Sequence, residues 1–333
     1  MNILGIDYGL KTVGFAVGEQ ITNSCSTYFS KKFKNNSFID YLKSFFENGI
    51  KLILPSVIFF ILITGILISI FHISASGSIK TGITALFGIS NIAFYLKDLP
   101  NHNFANFAVL NPFMHTWSLG IIFQFYFVLP FILWFTGFQQ KTNRGSNNLV
   151  FVFSSISISS LILFIFFSFT NKSAAYFLMP SRFWEIASGS LLYLWQNKKS
   201  NLTEKLGYFP PAYILLAILV LMFFPKSLSF LTTILIIFLS SILISSLTKE
   251  QLFSTSSIHK ILVKVGELSF WLYLWHWSII SISIWTLGIY WWTIPFQLFL
   301  ICFIALLTKR KLNNLLKYFF ISGKKNINII ISF

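Results

Sequence analysis

The chain has 333 residues, of which 55% are hydrophobic and 19% aromatic, and only 10% carry a charge. A soluble globular protein has about 25% charged residues, so this composition excludes a soluble domain and indicates an integral membrane protein. The formal net charge of +16 would suggest a nucleic-acid partner in a soluble protein. Here the lysines and arginines lie in the short gaps between apolar runs, as in cytoplasmic loops, and we expect membrane lipids rather than nucleic acid as partners.

The first 36 residues are expected to form a short segment of uncertain fold outside the membrane. Residues 1–20, MNILGIDYGLKTVGFAVGEQ, alternate apolar side chains around glycines, which favours two short strands. This sequence resembles the first hairpin of the resolvase-like pre-ribosomal-RNA nuclease family, where an aspartate at the position of Asp7 binds a metal. A two-metal nuclease site needs more than one carboxylate, and the resemblance stops near residue 20, so we do not expect a nuclease.

The two cysteines, Cys25 and Cys302, lie at opposite ends of the sequence. Neither has nearby cysteine or histidine residues at the spacing of a metal or redox motif. We interpret them as unpaired small hydrophobic residues and expect no metal cofactor.

Residues 37–308 form the predicted membrane domain, and residues 309–333 form a basic cytoplasmic tail. Apolar runs recur through the domain, each near the roughly 20 residues that a helix needs to cross a bilayer. The predicted spans lie at about 52–72, 117–137, 149–170, 174–195, 210–225, 228–247, 266–289 and 291–307. The predicted fold class is therefore all-α, a polytopic transmembrane helical bundle of about eight to nine spans.

The shorter apolar stretch 81–96 decides the predicted topology. If it crossed the membrane fully, the later basic loops and the basic tail would all fall outside, against the excess of Lys and Arg that cytoplasmic loops carry. We therefore expect 81–96 to re-enter or to return at once. His115 and Arg182 then lie near the outer face.

Asn111 begins the strongest candidate for chemistry, the run NPFMHTWSL, which is followed by QFYFVLP from Gln124. A polar segment that contains a histidine is followed directly by an apolar span, and that span contains Gln124 and Tyr126. Because hydrogen-bonding groups are costly beside hydrocarbon, we expect His115, Gln124 and Tyr126 to include functional residues.

Ionisable side chains also lie within or at the edge of later spans. Arg182 and Glu185 are three residues apart and share a helix face. They form either a self-satisfied ion pair that holds two helices together or a guanidinium that grips a substrate oxygen. His276, between two tryptophans, is either a packed neutral imidazole that donates to a carbonyl or a participant in proton transfer. Glu267 lies about 13 Å away along the same helix, too far to reach it.

These strings together resemble the signature of the acyltransferase 3 family. The matching parts are NPFMHTWSL with QFYFVLP, SRFWEIASG at 181–189, and VGELSFWLYLWHW at 265–277. Members of that family are polytopic membrane proteins that O-acylate sugars of surface polysaccharides. The resemblance implies a multi-pass protein of the bacterial inner membrane that uses acyl-coenzyme A, expected to be acetyl-coenzyme A, and a glycan or lipid-linked sugar acceptor.

The resemblance also implies roles for individual residues. His115 would handle the substrate or its proton, and Arg182 would contact the acyl donor while Glu185 orients it. The substrate-binding residues that it implies are Trp117, Tyr126, His276 and Lys51. Lys51 is the cation left in the frame FFENGIKLILP, where the family carries three arginines, and lysine is a poor substitute for a planar bidentate grip.

The departures from the family pattern concern charged groups. The family's first helix, with an arginine and a histidine presumed to be its general base, has no counterpart in this sequence. An acidic pair of the family is replaced by Ile122 and Phe123. Residues 9–22 also align with the family's second helix, as an alternative to the hairpin. Two other functions therefore stay open: a catalytically inactive, truncated relative, and a membrane transporter of small molecules or lipid-linked sugars.

Overall fold

The computed structural model describes residues 53–71, 76–98, 111–137, 143–197, 210–225, 228–247, 257–288 and 290–331. Within these ranges the chain is helical and has no strand. The helices are α1 (Ile53–Phe71), α2 (Ser76–Leu86), α3 (Ser90–Asp98), α4 (Trp117–Phe135), α5 (Asn143–Thr170), α6 (Lys172–Phe177), α7 (Met179–Asn197), α8 (Pro211–Met222), α9 (Ser229–Leu247), α10 (Ser257–Thr286) and α11 (Ile294–Ile331). The predicted all-α class is confirmed, whereas the strands predicted near the amino terminus lie outside the described residues.

Helix length and composition agree with a membrane environment. Among the residues described, four helical stretches are long and apolar enough to cross a bilayer: Ile53–Phe71, Met114–Phe135, Asn143–Thr170 and Ser229–Ser246. The apolar helix α8 has only 12 residues and is shorter than a full span. The chain is thus a helical membrane protein, and the predicted number of crossings stays a prediction.

Large apolar side chains cover the outside of the helices. Leu62, Phe151 and Phe299 are 62%, 73% and 64% exposed, and many other aliphatic and aromatic residues on the same surfaces are exposed as well. An apolar surface of this extent would drive a soluble protein to aggregate, but it matches the lipid tails of a bilayer. The outer faces of the helices are therefore the lipid-facing surface.

The stretch 81–96 does not form one continuous helix. It is divided between α2 and α3, which are each too short to cross a bilayer, and the break falls at Gly88. The backbone N–H of Ile89 donates to Thr84 O at 3.0 Å and that of Gly88 to Ala85 O at 3.2 Å, which is a Schellman ending. Gly88 has φ +67°, a left-handed conformation that favours glycine. This geometry agrees with the expectation that 81–96 is no full span.

The largest buried cluster contains side chains of α1, α4, α7 and α10. Its fully buried large side chains include Phe60, Phe113, Phe125, Phe183 and Trp275. The candidate functional residues border this aromatic core, so its packing determines their positions.

A serine links α5 closely to α7. Ser160 Oγ donates to Pro180 O at 2.6 Å and accepts from the backbone N–H of Trp184 at 3.0 Å. Ser155 and Ser159 instead donate to carbonyls of their own helix. The serine-rich run of α5 therefore supports close helix packing at Ser160, as small polar residues commonly do between membrane helices.

Candidate functional site

His115 lies in a short 3-10 turn, Met114–Thr116, that leads directly into α4. Asn111 shapes this turn, because its Oδ1 accepts a hydrogen bond from the backbone N–H of Phe113 at 3.0 Å. Thr116 Oγ1 then donates to Phe113 O at 2.7 Å. Such local side-chain bonds favour turns over a longer helix, so the sequence NPFMHT holds His115 just before the helix begins.

Helix α10 fixes the turn from the other side of the core. Trp277 Nε1 donates to Asn111 O at 3.0 Å, and Ser278 Oγ donates to Pro112 O at 2.7 Å. The two bonds join neighbouring residues of α10 to neighbouring carbonyls of the turn. The turn therefore has a defined position relative to α10.

The backbone carbonyl of His115 receives hydrogen bonds from two hydroxyl groups. Tyr273 OH, from α10, donates to it, and Ser118 Oγ donates to it at 3.0 Å. The hydroxyl oxygens of Tyr273 and Ser118 also contact each other, and because each hydroxyl has one proton, one of them can donate to the other while the second donates to the carbonyl. This network holds the backbone of His115, so its imidazole has a restricted range of positions.

Aromatic rings surround the imidazole of His115, which is 8% exposed. Phe60 from α1 meets it edge-on with 5.5 Å between ring centroids, and Tyr273 does so at 5.3 Å. The second histidine of the site, His276, lies 5.4 Å away, again edge-on. The structure thus brings together His115 and His276, which are 161 positions apart in the sequence.

Neither ring nitrogen of His115 has a hydrogen-bond partner among the described residues. The carbonyls of Pro112 and Leu274 are near the ring, but they lie outside ordinary hydrogen-bond geometry. A buried polar group without a partner costs about 1–3 kcal/mol, and native structures hold few of them. The orphaned imidazole is therefore available to a bound molecule.

His276 differs from His115 because one ring nitrogen is engaged. Its Nδ1 lies 2.7 Å from the backbone carbonyl of Tyr273, one turn earlier on α10. This is the contact that the interpretation as a packed imidazole requires. Since His276 is only partly buried and adjoins His115, its role in substrate binding stays a prediction.

A second group of charged side chains lies on α7. Arg182 Nη1 and Glu185 Oε1 form a buried ion pair at i,i+3. Arg182 Nε also donates to Tyr176 O at 3.3 Å. The hydrogen bonds of Arg182 to described residues therefore use two of its three nitrogens and leave Nη2 to donate elsewhere.

The guanidinium of Arg182 is enclosed by aromatic rings. Its Cζ lies 5.2 Å from the ring centroid of Phe164, 5.2 Å from that of Tyr176 and 5.9 Å from that of Trp117. The rings of Trp117 and Tyr176 contact each other at 4.3 Å. Ring faces attract a cation, so these contacts and Glu185 hold the charge in place.

Trp117 links the two groups because it follows His115 by two residues. The imidazole of His115 contacts rings on α1 and α10, whereas the indole of Trp117 contacts Tyr176 and the guanidinium of Arg182. The junction between the 3-10 turn and α4 thus carries one residue of each group.

The remaining candidate residues lie farther along the chain from the turn at His115 or outside the described residues. Tyr126 is buried in α4, nine residues or about 13 Å along the axis from Trp117. Lys51 lies outside the described residues, and its role stays a prediction. Glu267 Oε2 lies 3.6 Å from Lys309 Nζ of α11 at a partly exposed position, which is a peripheral ion pair.

Gln124, which the sequence marks as a candidate for chemistry, has a structural role. Its Nε2 donates to Gly88 O at 3.1 Å and to Asn91 Oδ1 at 2.8 Å, while Asn91 Nδ2 donates to Phe177 O at 3.0 Å. The same Asn91 Oδ1 would lie 2.6 Å from a Cβ at Gly120. Gln124 therefore joins α4 to the turn between α2 and α3.

Sequence reasoning missed several residues of the histidine site. Tyr273 and Trp275 lie within the matched string LYLWHW, but that string does not show which groups they contact. Nothing in the sequence distinguishes Phe60 as a site residue, because it is one of 41 phenylalanines. Among the described residues no cluster of three metal-ligating side chains occurs, and the expected lack of a metal stays a prediction.

Comparison with known proteins adds independent information. Residues 23–309 match the family model described as an acyltransferase domain. A provisionally assigned O-acetyltransferase of Staphylococcus aureus strain COL is 30% identical over 267 residues, which cover 72% of this chain and 41% of that protein. The O-acetyltransferase OatA of S. aureus strain NCTC 8325 is 27% identical over 261 residues, which cover 73% of this chain and 41% of OatA.

The chain thus matches about two fifths of the length of these curated relatives. No solved structure matches it significantly.

Proposed function

Because the chain belongs to the acyltransferase 3 family, we propose that it is an O-acyltransferase that moves an acyl group, expected to be acetyl, from coenzyme A to a carbohydrate hydroxyl. The names of the relatives, which describe O-acetyltransferases, support this proposal. The protein would be a multi-pass component of the bacterial inner membrane. The acceptor would be a surface glycan or a lipid-linked sugar.

The observation that carries the proposal is the buried, unpartnered imidazole of His115. Acyl transfer to an alcohol needs a group that removes the hydroxyl proton as the oxygen attacks the acyl carbon. A neutral imidazole with a free ring nitrogen can accept that proton. The hydrogen bonds from Tyr273 and Ser118 to the backbone carbonyl of His115 restrict the position of this residue. His115 is therefore the proposed general base.

Arg182 is the proposed contact to the acyl donor, with Glu185 as its orienting partner. The buried ion pair keeps the guanidinium in one geometry, and Nη2 would bind a carbonyl or phosphate oxygen of the donor. When no donor is bound, the charge of Glu185 would offset the cost of holding the arginine in an apolar surrounding. A bound donor would add its own charge to the site. Trp117, Tyr126 and His276 would line the path.

The test is expression of the chain in a bacterial host that lacks its own glycan acylation. Mass spectrometry of the surface glycan should show added acetyl groups with the unchanged chain and none with His115→Ala. The control Ser155→Ala removes a hydroxyl that bonds only its own helix on the lipid-facing side of α5, and it should retain full acetylation. A well-folded chain that adds no acetyl groups would contradict the proposal and support the catalytically inactive relative.

A further inference from the structure

Trp275 holds a buried hydrogen-bond donor that has no partner. The residue is 2% exposed on α10, and among the described residues nothing accepts a hydrogen bond from its Nε1–H. An indole N–H can only donate. Because a buried donor without a partner is costly, this N–H points to a bound acceptor atom that the protein itself does not supply.

The orphaned indole and the orphaned imidazole flank the same ring. Phe60 meets Trp275 edge-on at 5.3 Å and His115 edge-on at 5.5 Å between centroids. The residue before Trp275, Leu274, has its carbonyl near the imidazole of His115. The two unpartnered groups therefore belong to one site, where both residues contact the ring of Phe60.

Helix α1 adds a third polar group to this region. Thr64 is fully buried, and its Oγ1 has no hydrogen-bond partner among the described residues. It lies one turn after Phe60, so the two side chains share a face of α1. A site with two possible donors and one possible proton acceptor suits a ligand that offers an oxygen acceptor and a hydroxyl proton.

We propose that Trp275 is a further catalytic residue whose indole N–H donates a hydrogen bond to the acyl carbonyl oxygen. This proposal rests on the acyl transfer proposed above. The bond strengthens in the transition state, because the carbonyl oxygen then carries a negative charge. Trp275 thus supplies the oxyanion stabilisation and His115 the base, and the rings of both residues contact Phe60.

The reaction balances with these two residues. The acceptor oxygen forms a bond to the thioester carbon, the hydroxyl proton passes to His115, and the carbonyl electron pair moves onto the oxygen that Trp275 binds. When the carbon–sulfur bond breaks, the electron pair returns to the carbonyl and the sulfur takes the proton from the imidazolium. The products are the sugar ester and free coenzyme A.

The test compares Trp275→Phe with Trp271→Phe in the full chain, purified in lipid nanodiscs. Trp271 is equally buried one turn earlier on α10, where its ring contacts Phe270, and it serves as the matched control. With acetyl-coenzyme A and isolated polysaccharide from the acylation-deficient host, Trp275→Phe should lower kcat about 100-fold with little change in KM. Trp271→Phe should stay within about 3-fold of the unchanged chain, because it removes no oxyanion donor.

Infrared spectroscopy gives a second measurement that does not depend on turnover. Acetyl-coenzyme A labelled with carbon-13 at the carbonyl, bound without polysaccharide, should show a lowered carbonyl frequency in the unchanged chain and in Trp271→Phe. That shift should be absent in Trp275→Phe. Equal turnover and equal frequencies in the two variants would overturn the role of Trp275 and leave acyl transfer intact. An unchanged chain that neither binds the donor nor transfers acetyl would overturn both proposals.

Discussion

The hydroxyl of Tyr273 donates a hydrogen bond to the backbone carbonyl of His115, across a separation of 158 residues in the chain. With Trp277 and Ser278, Tyr273 thereby fixes the turn that bears the proposed base to α10. The imidazole of His115 also meets the ring of Tyr273 edge-on, so the same residue positions both the backbone and the side chain.

Tyr273→Phe should therefore lower activity more than stability. The variant keeps the ring contact but leaves Ser118 as the hydroxyl donor to the carbonyl of His115. Loss of one hydrogen bond costs about 1 kcal/mol of folding free energy, whereas displacement of a base by a fraction of an ångström should lower kcat by about 10-fold or more. Glycan acetylation rates and thermal unfolding measure the two effects. Tyr290→Phe, at an exposed tyrosine, is the control, and equal acetylation by both variants would contradict the prediction.

Substitutions of Arg182 and Glu185 should separate stability from donor binding. Glu185→Gln alone leaves a buried guanidinium without its counter-charge, which should cost about 3–5 kcal/mol. The double variant Arg182→Met with Glu185→Leu should recover most of that stability, because apolar residues of similar size often replace a buried ion pair without loss. Thermal unfolding in nanodiscs measures this recovery. The double variant should nonetheless fail to acetylate, and full acetylation by it would contradict the proposed donor contact.

Gly88→Ala should destabilise the turn between α2 and α3. A Cβ at this position would lie 2.7 Å from Phe123 Cβ, and the φ of +67° is unfavourable for alanine. We expect a loss of about 1–2 kcal/mol or more in unfolding free energy. Gly65→Ala is the matched control, because nothing lies within 4 Å of its added Cβ. Comparable melting temperatures for the two variants would show that the turn is not constrained in this way.

Phe60→Leu should change the size of acyl group that the protein accepts. The ring of Phe60 contacts both His115 and Trp275, so a smaller side chain leaves room beside the proposed reaction centre. The ratio of butyryl to acetyl transfer should rise about 10-fold or more, because each extra methylene group that an apolar pocket accommodates changes the rate by about 10-fold. Competition between the two coenzyme A thioesters measures the ratio. The control is Phe94→Leu, because Phe94 is a buried phenylalanine stacked on Phe177, and this variant should leave the ratio unchanged. An equal rise of the ratio in both variants would indicate a general loss of packing and contradict the prediction.

The sequence predicts the helices well because their physical signal is strong. An apolar run of the required length gives α1 at Ile53–Phe71, against the predicted 52–72, and the i,i+3 spacing predicts the pair of Arg182 and Glu185. The start of α10 is less well predicted, at Ser257 rather than 266, because polar residues extend a helix beyond its apolar span.

Contacts between helices that are distant in the chain cannot be predicted from the sequence in the same way. The cost of a glutamine in an apolar span predicts that Gln124 takes part in chemistry, yet its partners, Gly88 and Asn91, lie on another part of the chain. Likewise, nothing in the spacing of residues indicates that Phe60 contacts both His115 and Trp275. Such relations depend on which helices pack together, and periodicity reports only which face of one helix is apolar.

The short distance along the chain between His115 and Trp117 couples two halves of the molecule. A small rotation of α4 about its own axis would pull the indole away from Arg182 and, in the same motion, shift the imidazole from its place beside Tyr273. The amino-terminal end of α4 therefore connects the proposed base with the proposed donor contact, and a movement of this end would displace both together.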